Sequence, residues 1–107
     1  MFTRIVELTT KPGKNNQLSD TINEKVLPIL KKQKGFVDET VLISDRDDNR
    51  VLGLSFWNTK EDAEQYHRNE FQNVHEIVRH LLESEPVVRT FDVHSSTTHR
   101  ISKGKAA

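Results

Sequence analysis

Five side chains in this sequence have the chemistry and spacing to build a small-molecule site: His75, Tyr66, Trp57, Phe71 and Arg89. His75 falls at the edge of an apolar stripe, beside Phe71, Val78 and Leu82, when its segment is drawn as a helix at about 100° per residue. A partly buried imidazole is therefore expected, and a neutral imidazole nitrogen serves either as general base toward a phenol or as an axial ligand to haem iron. Tyr66 lies one helical step behind the apolar face of the preceding helix, where a phenol donates a hydrogen bond to a substrate oxygen or relays a proton. Trp57 offers a flat wall and one N–H donor, and Phe71 joins it as a substrate-binding side chain. Arg89 sits inside a strand pattern, from which it either points into a pocket or pairs with a carboxylate across the sheet. Each has a plainer role beside the chemical one: core packing for Trp57 and Tyr66, a satisfied boundary histidine for His75, an ion pair for Arg89.

The remaining histidines, His67, His80, His94 and His99, have no ligand spacing and read as surface or rim residues. Asp38 and Glu39 are charged residues inside another strand pattern, for which structural pairing is the expected role. With no cysteine there is no disulfide framework, thiolate metal site or cysteine nucleophile. The chain also lacks a Gly-rich phosphate loop, a His-Glu-x-x-His pair, catalytically spaced carboxylates and a Gly-x-Ser-x-Gly elbow, which leaves hydrolase and nucleotide-dependent chemistry without support.

The elements that must position these residues follow from periodicity and punctuation. Residues 2–9 are rich in β-branched side chains and stop at Lys11-Pro12-Gly13, so they form a first strand. From Asn15 or Asn16, either of which caps a helix well, apolar residues recur at Leu18, Ile22, Val26, Ile29 and Leu30. Pro28 inside that pattern predicts a kink or break, and Gly35 suits the left-handed residue that ends the helix. Residues 36–44 and 50–57 flank Asp45-Arg46-Asp47-Asp48-Asn49, a polar turn, and read as a hairpin. The second of these strands carries Leu52, Leu54 and Phe56 on one face and Val51, Gly53, Ser55 and Trp57 on the other, so both faces need cover. Thr59 with Asp62 three residues on starts a helix that carries Ala63 and Tyr66 inward; a further helix runs from about Phe71 to Leu82. Pro86 opens a last strand to about Val93, with Val87, Arg89, Phe91 and Val93 on one face. The order β-α-β-β-α-α-β is that of an α+β, ferredoxin-like fold with an antiparallel sheet, spanning 1–95 and followed by a polar tail or arm, 96–107.

Composition bounds the partners. A chain of 107 residues fits one domain, and its 34% apolar content implies a thin core that a second subunit would complete. The simplest cover for the second sheet face is the same face of another copy, which predicts a homodimer with a barrel or sandwich between the sheets. Sixteen Lys plus Arg balance sixteen Asp plus Glu along the chain, so neither nucleic acid nor a membrane surface is an expected partner. No apolar run reaches the length of a membrane span and the first residues lead into a strand pattern, from which a cytoplasmic location is expected.

Lys11-Pro12-Gly13-Lys14, Leu27-Pro28, Gly35-Phe36-Val37, Ser55-Phe56-Trp57 with Glu61-Asp62-Ala63, and Leu82-Glu83-Ser84-Glu85-Pro86 together resemble the antibiotic biosynthesis monooxygenase domain family over residues 2 to 94. Their order and spacing carry the resemblance more than any single fragment. It implies a dimeric α+β barrel with a pocket in each subunit between sheet and helices, and relatives that oxidise quinols or polycyclic phenols with molecular oxygen and no bound metal or flavin. It also implies that Trp57 stands where the family usually has tryptophan.

Three functions are thereby expected in turn. The first is a cofactor-independent monooxygenase acting on a small aromatic, quinol- or polyphenol-like substrate, with His75 as base, Tyr66 as hydrogen-bonding partner and Trp57 as pocket wall. The second is a non-catalytic module that captures a small aromatic ligand on the same fold. The third is haem binding or degradation; the resemblance implies an Asn on the first strand, a Trp on the second helix and a His on the third. Only the last is matched, by His75, since Val6 or Glu7 stands at the Asn position and Tyr66 near the Trp.

Overall fold

The computed structural model describes residues 1–101; residues 102–107, the end of the expected tail, lie outside the described part. The four strands are β1 (Phe2–Thr9), β2 (Phe36–Ile43), β3 (Arg50–Trp57) and β4 (Val87–Asp92), all antiparallel in the order β2-β3-β1-β4. The expected hairpin is β2-β3, closed by Ser44 N–H donating to the Arg50 carbonyl at 3.0 Å. The last strand stops one residue short of the expected Val93, whose N–H still donates to the Met1 carbonyl at 2.8 Å.

One sheet face is packed by helices. Along β1 the alternation turns Phe2, Arg4, Val6 and Leu8 inward, opposite Trp57, Ser55, Gly53 and Val51 of β3. The first helical stretch comprises α1 (Asn15–Thr21), a π-helical segment (Ile22–Val26) and α2 (Leu27–Lys31). Its cap is not the expected Asn15 or Asn16: Lys14 takes that position without a side-chain bond, and Asn15 Oδ1 accepts from the Asn16 N–H instead. The disturbance expected at Pro28 is the π-helical segment just before it, without a break. A proline has no N–H for the carbonyl four residues back, and a widened turn absorbs that loss. The same turn has a second use. The buried residues Leu18, Ile22, Val26 and Leu30 recur every four positions, which overshoots a 3.6-residue turn by about 40° each time. A wider turn in mid-stretch returns the stripe to the sheet.

Gly35, at φ +80°, ends this stretch in the left-handed region, and an added Cβ there would run into the Asp62 side chain. Thr59 caps α3 (Lys60–Asn69) as expected, its Oγ1 accepting from the Asp62 N–H at 3.1 Å, which turns Ala63 and Tyr66 into the core. The next helix is α4 (Phe71–Val78), followed by a 3-10 turn, Arg79–Leu81, where a continuous helix to Leu82 was expected. Lys11 N–H donating to the Leu81 carbonyl and Glu83 N–H to the Thr9 carbonyl tie this tightened end to the loop after β1.

Among the described residues no helix lies on the other sheet face. Ile5, Leu52, Leu54 and Phe56 occupy its centre and are half-buried, while Leu42, Val87 and Phe91 are 47–50% exposed at its sides. His99, expected in a polar tail or arm, lies on this face: its ring packs on Phe56 at 4.8 Å and its Nε2 is 2.7 Å from Asp38 Oδ2. Among the described residues no helix is long and apolar enough to cross a membrane.

Candidate functional site

Between the sheet and the helices lies a cavity that is partly open to solvent. Aliphatic side chains, among them Val6, Ile22, Val26, Val74 and Val78, make most of its wall, and Arg4, Glu39, Tyr66 and His75 are the ionisable groups that reach it. A mostly apolar hollow with a few convergent polar groups is the usual form of a small-molecule site.

Three of the five sequence-derived candidates meet there. Tyr66 from α3 and Phe71 and His75 from α4 all line the cavity, with the Tyr66 and Phe71 rings edge to face at 6.5 Å. The His75 side chain is 11% exposed and its Nε2 lies 3.6 Å from Glu85 Oε2 at the surface. Trp57 stands one layer behind. Fully buried, it stacks on Tyr66 at 5.1 Å, meets Phe36 edge-on at 5.7 Å and donates its indole N–H to Ser55 Oγ at 2.9 Å. It supports the wall without being the wall.

Arg89 lies on the opposite face of the sheet. Its register partner is Ile5, whose side chain points away from the helices, and alternation carries Arg89 the same way. There its Nε donates to Glu7 Oε2 at 2.9 Å while Arg50 Nη1 donates to Glu7 Oε1 at 3.2 Å, the cross-strand pairing that a strand arginine normally finds.

The arginine that does reach the cavity is Arg4, which the sequence reading passed over. It is 3% exposed; its Cζ lies 5.0 Å from the Tyr66 ring centroid and 4.8 Å from that of Phe71. Its Nη2 donates to His67 Nδ1 at 2.9 Å, so His67 accepts as a neutral ring with its proton on Nε2. Burial and the neighbouring guanidinium both push His67 below the ordinary histidine range, in keeping with that tautomer. The signal for Arg4 was present in the strand itself: it alternates with Phe2, Val6 and Leu8, the more apolar half of β1. Gly53 and Ser55, directly opposite on β3, also line the cavity, and Glu39 of β2 completes the row; burial raises its carboxyl pKa against the pull of Lys31.

Burial pushes the Tyr66 phenol up to about 12, with Arg4 pulling the other way. Tyr66 is therefore a hydrogen-bond donor through the neutral range. Because it is the only tyrosine, alkaline absorbance titration reads it directly. Its ionisation is expected with a midpoint near 12 in the native protein and about 10 once unfolded. The folded state holds the proton more tightly, so this contribution to stability is intact below pH ~10 and is lost as pH rises toward 12. A native midpoint near 10 would show that the phenol is not desolvated.

Among the described residues, no group of three or more His, Asp or Glu is placed to hold a metal ion.

A family model described as antibiotic biosynthesis monooxygenase matches residues 1–76. No curated protein sequence matches the chain. Among solved structures, the chain resembles a monooxygenase from the ActVA-Orf6 gene of Streptomyces coelicolor, in complex with nanaomycin D, at a TM-score of 0.77 and 16% identity, covering 89% of this chain and 88% of that one. It also resembles SnoaB, a cofactor-independent oxygenase from Streptomyces nogalater, with a TM-score of 0.75, 15% identity, and 92% and 97% coverage. A conserved protein from Methanosarcina mazei is similar at 0.68 and 18%, with 85% and 91% coverage. At these identities the likeness is one of fold.

Proposed function

Because the chain belongs to the antibiotic biosynthesis monooxygenase family, we propose that its cavity oxidises a small aromatic substrate of quinol or polyphenol type with molecular oxygen, using no bound metal, haem or flavin. The observation that carries this reading is the cavity itself: an apolar hollow whose wall includes a buried phenol, an imidazole and an aromatic ring, Tyr66, His75 and Phe71. Two fold neighbours add support, one solved with nanaomycin D and one described as a cofactor-independent oxygenase.

In this scheme His75 takes the proton of a substrate hydroxyl, and Tyr66, still protonated, donates a hydrogen bond to the oxygen that gains charge. The electron-rich anion reduces dioxygen, one oxygen atom bonds to substrate carbon, and loss of water leaves a carbonyl; two substrate hydrogens depart with the other oxygen atom. The apolar wall keeps bulk water from the anion. Replacing His75 by alanine is expected to lower substrate-dependent oxygen uptake by about 10²–10⁴-fold, the usual worth of a positioned base, with an unchanged circular dichroism spectrum. Unchanged uptake would remove His75 from that role.

The working unit in this reading is a homodimer. Ile5, Leu52, Leu54 and Phe56, flanked by Leu42, Val87 and Phe91, form an apolar sheet face that carries no helix among the described residues, of the kind that marks an interface. A second copy covers it with the same residues. Sedimentation is expected to give twice the 12.4 kDa chain mass, falling to the monomer in Leu54→Lys; a monomeric wild type at micromolar concentration would rule the dimer out.

A further inference from the structure

The cavity holds a buried cation, Arg4, and a half-buried carboxylate, Glu39, that is not in ion-pair contact with it. Arg4 is 3% exposed, and among the described residues no carboxylate comes within ion-pair distance of it. The ion-paired arginines are all surface residues: Arg50 and Arg89 share Glu7, and Arg79 meets Glu76. A guanidinium taken out of water costs a great deal unless an anion and hydrogen-bond acceptors replace its hydration. Here one amino group has His67 Nδ1 as acceptor and the plane is covered by the Tyr66 and Phe71 rings, which offset part of that cost and leave other N–H groups unpaired with any anion. The carboxylate that shares the cavity is Glu39. Glu39, Ser55 and Arg4 stand in one row across β2, β3 and β1, which sets the two charged residues two strand spacings, roughly 10 Å, apart at the backbone. Ser55 Oγ, between them, is occupied by the Trp57 indole, and burial raises the Glu39 carboxyl pKa against the pull of Lys31.

We propose that Arg4 is the anion receptor of this cavity, so that the substrate is an aromatic molecule presenting an anionic oxygen, an ionised phenol or enol or a carboxylate, to its guanidinium. This rests on the cavity being the substrate site, and it makes Arg4 a specificity-determining residue: the same charge that selects the anion lowers the energy of the phenolate formed during reaction. The rings of Tyr66 and Phe71 lie against the guanidinium, whose remaining N–H groups would supply the planar contact that arginine makes with oxyanions.

Isothermal titration of the intact protein with 2-naphthoate, its neutral counterpart 2-naphthamide, and 2-naphthol tests this without any oxygen chemistry. Naphthoate is expected to bind at least about tenfold tighter than naphthamide, the usual worth of a hydrogen bond to a charged group, and bound naphthol is expected to ionise at lower pH than free naphthol, read from naphtholate absorbance. Preference for naphthoate alone identifies a carboxylate substrate, and the naphthol shift alone identifies an enol or phenol. Both effects should disappear in Arg4→Met and be weaker in Arg4→Lys, which keeps the charge and loses the fork. Equal binding of naphthoate and naphthamide without a naphthol shift, binding of none of the probes, or an anion preference that survives in a folded Arg4→Met would overturn the proposal. The wild-type probe comparison stands even if a variant fails to fold. Failure of oxygen uptake with selective anion binding intact would strike the oxygenase reading and leave the receptor standing.

Discussion

Truncating Trp57 to alanine is expected to destabilise the protein by about 3–5 kcal/mol, the range for a fully buried large aromatic. A domain of this size has only about 5–15 kcal/mol in total, so the loss is a large share of the whole. The reason lies in how many elements the indole joins. It ends β3, stacks on Tyr66 of α3, meets Phe36 of β2 edge-on and donates to Ser55 Oγ, so its loss opens a void where two strands and a helix converge and leaves the Ser55 hydroxyl without its donor. Urea unfolding followed by circular dichroism measures this. A loss below about 1 kcal/mol would mean that the site has collapsed around the cavity or that the indole is a movable wall.

The second large effect separates the cavity from the fold. Gly53 lines the cavity from the middle of β3, between Val6 of β1 and Val41 of β2, at a negative φ, and a Cβ added there meets nothing within 4 Å. A leucine at this position therefore grows into the hollow without backbone strain, and it replaces a residue that weakens strand interiors. Gly53→Leu should match or exceed the wild-type melting temperature while displacing ligand from the cavity. Few substitutions offer that combination, because most that damage a buried site also damage the core around it. A large fall in melting temperature would mean that the hollow closes in solution.

The fold was legible in the sequence to the extent that it depends on local signals. Lys11-Pro12-Gly13, the polar turn at 45–49, the Thr59 cap and the left-handed Gly35 each act within a few residues, and each element boundary they mark is found within a residue or two. The helix around Pro28 shows what such signals leave out. A proline announces a disturbance without choosing between a break, a kink and a wide turn; the choice of a π-helical segment belongs to the four-residue stripe that must stay on the sheet.

The site was legible on its helices and not on its strands. Tyr66, Phe71 and His75 follow from helical phase, since a helix has one buried stripe and a residue is on it, beside it or away from it. A strand offers two faces, and β3 is apolar on both, so its pattern does not say which face meets the helices. Arg4 and Arg89 differ only in that parity. Each sits on a strand between apolar neighbours, Arg4 faces the helices, Arg89 faces away, and the register that decides between them becomes visible only when β1 is paired with β3 and β4 together. The alternation within β1 already favoured the Arg4 face, with Phe2, Val6 and Leu8 against Ile5 alone, and weighing the two faces of that strand was the step by which the arginine could have been found.

Oxygen consumption by wild type and Gly53→Leu, measured on one panel of anthrones and dihydroxynaphthalenes in the presence of a chelator, tests most directly whether the cavity is an oxygenase site. Substrate-dependent uptake by wild type that falls to the uncatalysed rate in the equally stable Gly53→Leu is the predicted result. Uptake that persists with the cavity filled, or wild-type protein that consumes no oxygen with any member of the panel while binding them, would contradict it, the latter result leaving a ligand-binding module in place of an enzyme.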